Sequence, residues 1–78
     1  MPTILILFGL RFFFYTREHE PIHIHVQSQD GIAKFVIEDE VILVENKGLK
    51  PKDLKLAESI LEENKENFKQ EWNRVFGE

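Results

Sequence analysis

The sequence predicts an α+β fold: a small, mainly antiparallel sheet of four or five strands with one long C-terminal helix packed on one face. Three observations predict it. The first half of the chain gathers Ile, Val and Phe into short runs set apart by Gly9, Pro21 and Asp30-Gly31, the punctuation of successive strands. The last third lacks such breaks and repeats its apolar residues at three- and four-residue steps, the period of an amphipathic helix. At 78 residues the chain is a single domain, residues 1–78, near the size at which an apolar core just holds a fold unaided. Self-association would help it.

Strands are expected at about residues 3–7 and 10–16, because the stretch from Ile4 to Tyr15 is almost wholly apolar without helical spacing and Gly9 divides it. Both faces of these strands are apolar, and one helix covers one face of a sheet. The remaining patch is of a kind that soluble monomers rarely expose, so it is expected to meet a second copy or a partner. Pro21 lacks a backbone donor and keeps Glu20 extended, making Glu18–Pro21 a connection. Strand three follows at 22–27.

Asp30-Gly31 is read as a two-residue hairpin loop of the type that needs positive φ at both positions. That loop would pair Gln29 with Ile32 and set Val26 opposite Phe35, Ile24 opposite Ile37, His25 opposite Val36 and His23 opposite Glu38. Alternation then places Ile22, Ile24, Val26, Phe35 and Ile37 on one face, with His23, His25, Gln27, Lys34 and Glu38 on the other. The fourth strand runs over 32–38. Asp39-Glu40 turns the chain into a fifth at 41–44.

Pro51 and Asp53 open the helix, proline because its missing donor is harmless in the first turn and aspartate because it opposes the helix dipole. Leu54, Ala57, Leu61, Asn64, Phe68, Trp72 and Val75 form its apolar stripe to Phe76, and Gly77 suits a C-terminal cap. A straight helix over 51–76 would be about 39 Å long at 1.5 Å per residue, against roughly 20 Å for a six-residue strand. It would overhang the sheet. Phe68, Trp72 and Phe76 on the overhang are therefore the candidate partner interface, with helix core as their plainer role.

Composition removes several classes of function. There is no cysteine, which excludes disulfides and thiolate metal sites. Net charge is −4 with no polybasic stripe, so nucleic acid is not expected as the main partner. The apolar start is interrupted by Arg11 and falls short of the roughly 20 residues of a membrane helix. It has neither a basic leader nor a small-residue cleavage site, and the cytoplasm is the expected location.

Chemistry is concentrated in His19-Glu20-Pro21-Ile22-His23-Ile24-His25, which holds every histidine of the chain. Histidines at i and i+2 on a strand point the same way, which lets His23 and His25 reach one Zn²⁺, with His19 folding over from the turn. Glu38, placed across the ladder, would be a carboxylate ligand or an acceptor behind an imidazole. The same groups suit acid and base work, and a ribonuclease-type site would use His23, His25 and Glu38 with Arg17 or Lys34 as the phosphate's cation. The plain alternative is a set of solvent-facing strand histidines. No Gly-rich phosphate loop or nucleophile motif is present, which favours a binding module over an enzyme.

Met1-Pro2-Thr3-Ile4, the spacing His19-x-Pro21-x-His23-x-His25-Val26, and Leu49-Lys50-Pro51-Lys52-Asp53-Leu54-Lys55-Leu56 ahead of Asn64-Lys65 and Trp72-Asn73 together resemble a bacterial family of unknown function, DUF4160. The likeness covers nearly the whole chain. Ile22 and Ile24 stand where that family usually has a second proline and an aromatic residue. The resemblance implies a small cognate protein as counterpart, in a toxin- and antitoxin-like pair, with His19, His23 and His25 at or near the functional surface.

Overall fold

The computed structural model describes the backbone over residues 3–14 and 22–76 and the side chains over 5–14 and 22–75. Five strands form one antiparallel meander in chain order: β1 (Thr3–Leu7), β2 (Leu10–Phe13), β3 (Ile22–Gln27), β4 (Ile32–Ile37) and β5 (Val41–Lys47). Two helices follow, α1 (Pro51–Glu63) and α2 (Lys65–Phe76). None is long and apolar enough to cross a membrane.

The expected single helix is broken at Asn64, and the residue itself supplies the reason. Its side-chain amide donates to the Ile60 carbonyl at 2.9 Å, while its backbone N–H bonds the same oxygen at 3.0 Å. An asparagine that competes for its own helix's carbonyl leaves helical geometry, here at φ −112 and ψ 20. The break is also anchored to the β4–β5 turn. Glu62 accepts the Val41 N–H at 3.3 Å and Lys65 donates to the Asp39 carbonyl at 2.8 Å.

Bending at Asn64 removes the overhang. Phe68 and Trp72 are each 1% exposed, with Phe68 5.8 Å from the Phe12 ring and Trp72 5.2 Å from that of Phe14. Their expected partner-facing role gives way to a core role, because their surface is already spent inside the chain. The Phe76 side chain lies outside the described residues. Phe12, Ile24, Val26, Phe35 and Ile37 supply the sheet's half of this core, and Ala57, Ile60 and Leu61 the share of α1.

The two hairpin loops differ from expectation in opposite ways. Phe8 and Gly9 both have positive φ, +55 and +79, between the paired Leu7 and Leu10, which is what a two-residue loop of that class requires. Asp30-Gly31 has no such geometry. The β3–β4 connection is instead four residues, Ser28 to Gly31, closed by the Ser28 N–H on the Gly31 carbonyl at 2.9 Å and by the Asp30 N–H on Ser28 Oγ at 3.0 Å. Its glycine is there for room: a Cβ on Gly31 would run into the Lys47 carbonyl oxygen and lie 2.8 Å from Gly48 Cα.

Two extra loop residues shift the register by two. Gln27 pairs with Ile32, His25 with Lys34, Ile24 with Phe35 and His23 with Val36. A shift of two preserves the faces, so the division into apolar and polar sides stands while the partners change. Strand β5 reaches Lys47, three residues beyond expectation. Glu45, Asn46 and Lys47 can be polar because an edge strand leaves them largely in solvent.

Candidate functional site: the outer face of the sheet

Both helices lie on one side, so the histidine strand offers its other side to the outer face. Register builds two rows across it. Phe13, His25, Lys34 and Glu45 stand side by side over β2 to β5, and Arg11, Gln27, Ile32 and Lys47 form the neighbouring row. In the first, the rings of Phe13 and His25 stack at 5.4 Å and 23°. The Arg11 guanidinium sits 4.4 Å from the Phe13 ring centre, a cation–π distance, and donates to Gln27 Oε1 at 3.0 Å.

This packing hides groups that a bare sheet face would leave wet. Phe13 is 1% and His25 8% exposed. His23 is half-buried and has different company: it lies beyond the last described β2–β3 pair, with its ring 6.5 Å from Trp72 in an edge-on arrangement. The two imidazoles thus belong to different neighbours, one to Phe13 and one to Trp72.

Glu38 does not join them. Register gives His23 the apolar Val36 as its cross-strand partner, and Glu38 is an exposed residue of the β4–β5 turn, its N–H on the Glu40 carbonyl at 3.1 Å. His19 and Arg17 lie outside the described residues. Among the described residues no three His, Asp or Glu side chains gather closely enough to hold a metal ion.

Beside His25 the outer face dips into an open depression of about 240 Å³, lined by His25, Ile32, Ala33, Lys34, Glu45 and Lys47. Glu45 is paired with Lys47 at 3.3 Å. Arg11 and Phe13 were not singled out from the sequence as site residues. The signal for them lay in the alternation along β2, which becomes readable once Phe13 is known to face His25.

Apolar surface concentrates elsewhere. Ile6 and Phe8, at 68% and 72% exposed, flank the partly exposed Leu7 at the β1–β2 tip, and Ile42, Leu43 and Val44 project from β5.

These features define a small α+β domain with a five-stranded antiparallel meander, a helical layer on one side and a histidine-bearing outer face. Residues 9–73 match the family model described as a domain of unknown function, DUF4160, and the chain belongs to that family. No curated protein and no solved structure matches it significantly.

Proposed function

We propose that the protein is a protein-binding module that docks a small cognate protein on the tip and free edge of its β1–β2 hairpin. The observation that carries this reading is Phe8. A bulky residue in left-handed backbone costs roughly 1–2 kcal/mol, and here it also holds an aromatic ring in water. Strain of that sort without a packing return inside the chain points to a use outside it. Burying a Phe ring in a partner contributes about 1.5–3 kcal/mol, or roughly ten- to a hundredfold in affinity.

The histidine-dependent ribonuclease reading has less support. It requires a carboxylate across from His23, where Val36 stands, and an accessible imidazole, whereas His25 is packed in a ring stack. A toxin- and antitoxin-like pairing is compatible with the docking reading, with this chain as either member. The test is co-expression with each small protein whose gene adjoins its own. Wild type should co-purify as a complex that Phe8→Asn disrupts; loss on His23→Ala/His25→Ala with full retention by Phe8→Asn would move the interface to the outer face.

A further inference from the structure

We infer that the depression between β3, β4 and β5 on the outer face binds a phosphate group, with Lys34 and Lys47 as its cations. Lys34 is the starting point. It stands on β4, one strand in from the edge, half-buried between His25 on one side and Glu45 on the other in register. Yet its ammonium has no hydrogen bond or ion pair among the described residues, because the Glu45 carboxylate turns along its own strand to Lys47. A half-buried lysine with no acidic partner is better placed to take an added anion than one already paired or wholly exposed.

Charge and size select the ligand. The lining holds two lysines against one glutamate in a chain whose net charge is −4, so the depression is locally cationic on an acidic molecule. Glu45 is already offset by Lys47, which leaves Lys34 to set the sign. At about 240 Å³ the space lies below the roughly 300–1,000 Å³ of pockets that enclose drug-sized molecules. It suits a single compact oxyanion. Ile32, on the same face as Lys34, gives the depression an apolar border on one side.

A dianionic phosphate matches two ammonium groups better than a monocarboxylate does. The group is carried either by inorganic phosphate or by a small phosphomonoester, and the depression's open form admits both. This site is separate from the hairpin tip, so it stands or falls independently of the docking reading.

The experiment is a titration of the ¹⁵N-labelled full chain with inorganic phosphate, followed by amide shifts at constant ionic strength set with chloride. Saturable shifts confined to residues around Lys34, Glu45, Lys47 and His25 are expected. Lys34→Met should weaken the fitted affinity about tenfold or more, and Lys47→Met by a smaller factor, with spectra that confirm the fold. Lys55→Met, on the exposed side of α1, should leave it unchanged. Methyl phosphate in place of inorganic phosphate distinguishes the two sources: tighter binding of methyl phosphate assigns a monoester, tighter binding of inorganic phosphate assigns the free ion, and equal binding assigns the shared phosphate group. Shifts that do not saturate, that acetate reproduces at the same concentration, or that both lysine variants keep undiminished would overturn the site.

Discussion

The two edges of the sheet solve the same problem differently. Both β1 and β5 are terminal strands with a single strand neighbour among the described residues, both take part in a pairing with a register irregularity, and both show aliphatic side chains to solvent. Strand β5, however, ends in Glu45, Asn46 and Lys47 and is clamped by the loops around it, whereas no residue from Thr3 to Gly9 carries a charge. Natural sheets usually defend an edge with charge. The difference marks β5 as a closed edge and the β1–β2 hairpin as the open one.

The clamp on β5 is where substitution should be felt most. Gly31→Ala would push a methyl group into the backbone of Lys47 and Gly48, and unfolding in urea should show a loss of roughly 3 kcal/mol. An unchanged midpoint would mean the two loops separate freely and β5 is not held. Asn46→Ala removes a reciprocal pair of bonds, its amide to the Leu49 carbonyl at 3.1 Å and the Leu49 N–H to its Oδ1 at 2.9 Å, and should cost about 1–2 kcal/mol.

Charges placed on the edges themselves sharpen the contrast. Ile6→Lys should change stability by less than about 0.5 kcal/mol and Ile42→Lys by about 0.5–1 kcal/mol, since Ile6 is 68% exposed and Ile42 43%. Only Ile6→Lys should abolish partner capture. Equal loss from both would show that the edges are equivalent and the comparison false.

Much of this architecture was legible beforehand, and the parts that were not have specific causes. Strands at 3–7 and 22–27 and the start of the helix at Pro51 followed from Gly9, Pro21 and the apolar pattern, which act locally. The Asp30-Gly31 loop misled because two different demands select glycine at a turn, positive φ and close approach, and a dipeptide does not tell them apart. The break at Asn64 was hidden because asparagine sits within an apolar stripe whose period runs straight through it. The site suffered from the same register error: a shift of two kept His25 on the outer face but set Val36 in place of Glu38 opposite His23. Phe8 escaped notice because exposure and backbone sign are tertiary properties of a residue that looks like any other apolar one in the run.

Phe8→Asn tests the central claim most directly, because it creates the Asn-Gly pair that such a loop prefers and removes the exposed ring in one change. Two quantities are read on the same protein, the urea midpoint and the affinity for the cognate small protein. The account predicts a gain of about 0.5–1 kcal/mol in stability with a loss of roughly tenfold or more in affinity. Reduced stability with undiminished binding would show that Phe8 serves the fold after all, and would contradict it.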